Sequence, residues 1–131
     1  MLDFSEGNET HSLLIVDDDE PFRNRLARAM EKRGFAVTTA ASVSEGCSVA
    51  RRDKPTYAAL DLRLEDGSGL EIVKELQSSQ PEARIIVLTG YGNIATAVAA
   101  VKAGAIDYLP KPADADAVAA ALLERENPLP P

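Results

Sequence analysis

The sequence predicts an α/β protein with a doubly wound, five-stranded parallel sheet and five flanking helices. Three observations predict it. Apolar, strand-like runs alternate with amphipathic helical patterns from residue 12 to about residue 125. Three of those runs, LLIV (13–16), YAAL (57–60) and IIVL (85–88), are apolar throughout, as parallel strands covered on both faces should be. The chain has 131 residues, 45% hydrophobic and 27% charged, which suits one domain with a core that needs no staples.

Residues 1–11 are polar and without periodicity, and read as a loose tail ending in an exposed His11. The first strand is placed at Leu13–Asp17. A helix follows with acidic residues and Pro21 in its first turn, Phe22, Leu26, Ala29 and Met30 on one face, and Gly34 as its stop. Ala36–Ala40 gives the second strand. Ser42-Val43-Ser44-Glu45 fits a capping box for the second helix, and Tyr57–Asp61 is the third strand. Ser68-Gly69-Leu70-Glu71 fits a second capping box, opening a third helix lined by Leu70, Val73 and Leu76 and ending before Pro81. Ile85–Thr89 is the fourth strand. Asn93 caps an alanine-rich helix that Gly104 ends, Ile106–Leu109 is the fifth strand, and Asp114 caps a last helix to about Arg125. Residues 127–131, NPLPP, read as the start of a stiff linker.

Charge and cysteine use narrow the function. With 14 Lys+Arg against 21 Asp+Glu the net charge is −7, which disfavours nucleic-acid binding by this chain alone. The two basic pairs, Lys32-Arg33 and Arg51-Arg52, fall where helices should end, and there cations suit the helix dipole. A lone Cys47 makes neither an internal disulfide nor a cysteine zinc site. It falls on the inward face of the second helix with Val43 and Ala50, and reads as a buried thiol. The run Leu13–Val16 is too short for a bilayer span or a signal-peptide core, so no membrane association and a cytoplasmic location are expected.

In an open parallel sheet, ligands bind at the carboxyl ends of the strands, near the point where the winding reverses. There the sequence puts Asp17, Asp18 and Asp19 after the first strand, Asp61 at the end of the third, Thr89 at the end of the fourth, and Lys111-Pro112 after the fifth. Any one of these has an ordinary explanation as a turn former, a helix-start charge or a solvated lysine. Together they make a group. Two carboxylates about 4 Å apart repel by roughly 4 kcal/mol at an effective dielectric of 20. One divalent cation with Lys111 would balance Asp17, Asp18 and Asp61. Oxygen donors without sulfur or imidazole select a hard ion such as Mg²⁺. A carboxylate is already ionised at pH 7 and can attack phosphorus without a base, so the group is suited to forming an acyl phosphate on Asp61.

LLIVDDDEP, YAALDLRLEDGSGLE, IIVLTGYG and AIDYLPKP resemble the signature segments of the CheY-like receiver domain of two-component response regulators, over about residues 12–123. The resemblance implies a flavodoxin-like sheet of order 2-1-3-4-5. It makes Asp61 the phosphoacceptor, Asp17 and Asp18 the Mg²⁺-holding pair with the Arg63 backbone carbonyl, and Asp19 a neighbour that is no ligand. It makes Lys111 the phosphate-pairing lysine, in a cis peptide with Pro112, and Thr89 and Tyr108 the switch pair. The partner it implies is a sensor histidine kinase, with self-catalysed phosphorylation and dephosphorylation and no other enzyme activity. GYGNIATAVAAVKAGAIDYLPKPADAD and ENPLPP are similar to redox-responsive global regulators of the RegA/PrrA/ActR type, in which a proline-rich linker leads to a helix-turn-helix DNA-binding domain. The expected division is therefore a tail at 1–11, a receiver domain at 12–126 and linker at 127–131, in a receiver domain or a piece of a longer transcription regulator. Homodimerisation through the fourth helix, fifth strand and fifth helix is the expected output.

Two rival classes stand beside this reading. An aspartyl-phosphate phosphatase would need a second Asp two residues after Asp61, where Arg63 stands. A nucleotide- or flavin-binding module is suggested by Gly90-Tyr91-Gly92-Asn93-Ile94-Ala95, but that segment follows the fourth strand, not the first. Arg63 and Tyr91 each stand two residues past a site residue, Asp61 and Thr89. They are expected to border the path of the hydrolytic water and slow dephosphorylation.

Overall fold

The computed structural model describes residues 11–90 and 94–123. In chain order the elements are β1 (His11–Val16), α1 (Glu20–Lys32), β2 (Phe35–Ala40), α2 (Val43–Asp53), β3 (Tyr57–Asp61), β4 (Arg63–Leu64), β5 (Gly67–Ser68), α3 (Leu70–Ser79), β6 (Arg84–Thr89), α4 (Ile94–Ala103), β7 (Asp107–Pro110) and α5 (Ala115–Leu123). Five strands form one all-parallel sheet in the order β2-β1-β3-β6-β7. Numbered among themselves these are 2-1-3-4-5, the expected order. The chain winds outward in opposite directions from β1 and β3, so the switch point lies between these two strands.

Alternation along each strand divides the core into two layers. Leu13 and Ile15 of β1 join Ala59, Ile86 and Leu88 beneath α1 and α5, where Phe22, Leu26, Met30, Val118 and Leu122 meet them. Leu14 and Val16 join Ala58, Leu60, Ile85 and Val87 beneath α2, α3 and α4, with Val49, Ile72, Leu76 and Ala100. Covered on both faces, the central strands have no room for a polar residue until they end. That arrangement delivers Asp17, Asp61 and Thr89 together to one rim.

Several boundaries differ from the sequence reading. His11 is not tail: it opens β1, opposite Phe35, with its ring stacked on Tyr57 and edge-on to Phe35. The first strand ends at Val16, and Asp17 stands just past it, its N–H donating to the Ala40 carbonyl at 3.1 Å. The Ser68–Glu71 capping box does not form. Ser68 is held in a short antiparallel pairing with Arg63, so helix α3 starts from Gly69, and the Ser68 hydroxyl accepts the Leu70 N–H instead. Ser42 does cap α2, accepting the Glu45 N–H at 3.1 Å, while Glu45 reaches back to the Ala41 N–H at 2.9 Å. The basic pairs fall at the ends of α1 and α2. Cys47 is half-buried against the core, and burial, with smaller help from Glu75, pushes its thiol pKa up. The Asn93 cap, the tail through residue 10 and the segment beyond residue 123 lie outside the described residues.

Candidate functional site

Parallel pairing aligns Val16 with Leu60, so Asp17 and Asp61 leave adjacent strands side by side. Asp17 has no exposed surface and Asp61 is 5% exposed. Between them lies the Lys111 ammonium, 2.9 and 3.2 Å from the two oxygens of Asp17 and 3.3 Å from Asp61 Oδ2. It also lies 5.0 Å above the Phe22 ring, a cation–π arrangement that fixes the lysine from the α1 side. The Lys111–Pro112 peptide is cis, and the Lys111 N–H donates to the Thr89 carbonyl at 2.8 Å. Thr89 itself is buried at the end of β6.

Neighbouring backbone completes the setting. Asp17 Oδ1 accepts the Asp19 N–H at 2.9 Å, and the Arg23 guanidinium donates to the Asp17 carbonyl at 2.9 Å. Asp19 caps α1, its Oδ1 accepting the Phe22 N–H at 3.1 Å. Asp61 Oδ1 accepts the Arg63 N–H at 3.2 Å. Gly69 packs against the Asp61 main chain so closely that a β-carbon there would overlap the Asp61 carbonyl oxygen.

These surroundings set the charges. Burial, and then the charge of Asp17, push the Asp61 pKa from 3.8 up to about 6, against the pull of Lys111 and the Arg63 N–H. Burial works against the Lys111 ammonium, but hydrogen bonding to Asp17 and the charges of Asp61 and Asp17 outweigh it and hold its pKa above 10.5. Oxygens of Asp17, Asp18 and Asp61 lie within 4.8 Å of one another, with Asp18 at the surface. Three hard oxygen donors facing one open rim fit a divalent cation.

Residues 13–123 match the model of the response regulator receiver domain. This chain belongs to that family. It is 63% identical over 120 residues to the photosynthetic apparatus regulatory protein RegA of Cereibacter sphaeroides, a match covering 92% of this chain and 65% of that protein. It is 60% identical to the acid tolerance regulatory protein ActR of Rhizobium meliloti, covering 90% of this chain and 65% of the relative. The chain therefore spans just under two thirds of the length of these two curated relatives. Among solved structures it is similar to a response regulator from Burkholderia pseudomallei with a phosphorylated aspartic acid, calcium ion and citrate. That similarity has 47% identity and a TM-score of 0.80, over 85% of this chain and 65% of the other. The match decides among the three readings of the sequence in favour of a receiver domain.

In this receiver domain the expected residues separate into three groups. Asp17, Asp18, Asp61 and Lys111 converge, and Thr89 stands buried on the same rim. Tyr108 lies one strand away on β7, opposite Val87, half-buried against the α2–α3–α4 layer. Arg63 meets Asp61 through its N–H with its side chain exposed, whereas Tyr91 lies outside the described residues. Sequence reasoning missed Phe22 as the lysine's platform, Arg23 as a brace on Asp17, and the close approach of Gly69. An aromatic and an arginine one turn into the helix that follows the acidic triplet were the available signal for the first two. Among the described residues, no helix is long and apolar enough to cross a membrane.

Proposed function

We propose that this receiver domain takes a phosphoryl group on Asp61 from the phosphohistidine of a sensor histidine kinase. An Asp61 carboxylate oxygen bonds to phosphorus as the bond from phosphorus to the imidazole nitrogen breaks, and the kinase imidazole leaves with the electron pair. Water later cleaves the acyl phosphate to inorganic phosphate and restores the carboxylate. The observation that carries this reading is a nearly buried, strand-end carboxylate sharing one ammonium with a fully buried neighbour. The phosphorylated aspartate of the Burkholderia protein supports it.

Asp17, Asp18, Asp61 and the Arg63 carbonyl would hold Mg²⁺, which when bound supplies charge neutralisation for the transferring group. Lys111 pairs with the transferred group and keeps the pocket from carrying uncompensated charge. Thr89 turns its hydroxyl toward the new phosphoryl oxygens, and Tyr108 follows into the space released, a shift of an existing equilibrium. Arg63 and Tyr91 flank the water path and lengthen the phosphorylated state. The chain catalyses these steps on itself alone.

The output we propose is homodimerisation through α4, β7 and α5. Ile94, Val98 and Val101 of α4 and the adjoining Ile106 support it, since they expose apolar side chains at 40% or more of their surface. Residues 11–126 act as the receiver unit, His11 opening its first strand, followed at 127–131 by linker to a helix-turn-helix output domain. That domain, not this one, contacts DNA, in a cytoplasmic, redox-responsive transcription regulator; the names of its relatives, regulatory proteins of the photosynthetic apparatus and of acid tolerance, support a regulatory role. Amide NMR tests the reading. Acetyl phosphate with Mg²⁺ should move the Asp61, Thr89, Tyr108 and Lys111 resonances to a second set in the parent and not in Asp61→Asn. Movement confined to Asp17 and Asp18 in the parent would overturn it.

A further inference from the structure

Asp66 sits in the turn between β4 and β5 and reaches across to α2. Its two carboxylate oxygens accept the N–H groups of Val43 at 2.8 Å and Ser44 at 3.1 Å, first-turn donors that a helix cannot satisfy internally. A carboxylate suits that end of the helix dipole. Helix α2 already has a cap of its own in the Ser42–Glu45 pair. The bonds from Asp66 therefore do something more: they fasten the hairpin tip to a rigid element.

The other end of the hairpin is at the phosphorylation site. Arg63 pairs with Ser68 and donates its N–H to Asp61 Oδ1 at 3.2 Å, and Gly69, next in the chain, packs on the Asp61 main chain. With two residues per strand, β4 and β5 are too short to hold their own register. A β-carbon at Gly67 would come into ordinary van der Waals contact with Val43, so the hairpin passes close beside the start of α2. Helix α2 is in turn fixed, because Gly46 lets it sit directly on Ile72 of α3 and Val16 of β1.

We propose that Asp66 is a positioning residue: by clamping the hairpin to the start of α2, it sets the orientation of the Arg63 backbone against Asp61. Both the divalent-cation affinity of the site and the ease of phosphorylating Asp61 depend on it. The inference rests on the reading of Asp61 as a cation-assisted phosphoacceptor.

The test compares Asp66→Ala, Asp66→Asn and Ser42→Ala in the full chain. Arg63 amide exchange is followed by NMR, Mg²⁺ affinity by calorimetry, stability by thermal unfolding and the Asp61 adduct by mass. Asp66→Ala should speed Arg63 exchange and weaken Mg²⁺ binding by about threefold to tenfold, somewhat less than loss of a direct partner of a ligand. Asp66→Asn keeps one acceptor oxygen and should fall between. Ser42→Ala removes another α2 cap and should lower the thermal midpoint without changing exchange or affinity. If Asp66→Ala leaves both unchanged while the parent forms its adduct, the clamp proposal alone is wrong. If Ser42→Ala reproduces both losses in proportion to its lost stability, Asp66 is only structural. A parent that forms no adduct would overturn the phosphoacceptor reading and the proposal with it.

Discussion

Asp61 is costly to ionise, because Lys111 and the Arg63 N–H offset only part of the effect of burial and of the Asp17 charge. Its pKa of about 6 stands above the ordinary 3.8, so between those values the folded state holds the proton more tightly than the unfolded chain does. Ionisation therefore removes stability as the pH rises from about 4, and the loss is complete a little above about 6. Asp61→Asn cannot ionise. With a chelator present, its thermal midpoint should match the parent's near pH 4 and exceed it increasingly toward pH 7; a difference that does not change with pH would refute this account. A second prediction concerns Arg63, whose side chain is exposed while its N–H serves Asp61. Replacing Arg63 and Tyr91 together with alanine should shorten the acyl-phosphate lifetime severalfold, followed as decay of the adduct after the donor is removed. An unchanged lifetime would remove them from the hydrolysis path. The residues at the site were legible because each follows an apolar run that must end at the same rim. Phe22, Arg23 and Asp66 were not, because their roles depend on helix phase and on how a loop folds across to another element.

At the scale of elements, the approach of α3 to β3 is set by Gly69. A methyl there would overlap the Asp61 carbonyl, and backbone, unlike a flexible side chain, cannot swing aside. Gly69→Ala should cost about 1–3 kcal/mol, the range for overpacking, read from urea unfolding, and it should also slow phosphorylation of Asp61. A variant as stable as the parent would show that the β3–α3 connection relaxes freely. The long elements were readable because hydrophobic period and terminal signals agreed. The β4–β5 hairpin was not, since two-residue strands carry no periodicity, and its pairing of Ser68 with Arg63 is what moved the start of α3 to Gly69. His11 shows the same limit at a terminus. A polar residue opening an edge-side pairing has no apolar pattern to announce it, and only the Phe35 and Tyr57 rings give it a place.

At the scale of the molecule, the buried central strands bring Asp17, Asp61 and Thr89 to one rim, and α4 carries exposed apolar side chains. If that surface is the output, the phosphorylated chain should sediment as a dimer and the unphosphorylated chain as a monomer. Val98→Lys should abolish the dimer while leaving adduct formation intact; Val98 is 42% exposed, so the fold should tolerate the change. A dimer that survives would move the interface elsewhere. The central claim, that Asp61 is a cation-dependent phosphoacceptor, is tested most directly by intact mass. The parent and Asp61→Asn are each incubated with acetyl phosphate, with Mg²⁺ and with chelator. The account predicts a single phosphoryl adduct, labile to hydroxylamine, only in the parent with Mg²⁺. An adduct that persists in Asp61→Asn, or none in the parent under any condition, would contradict it.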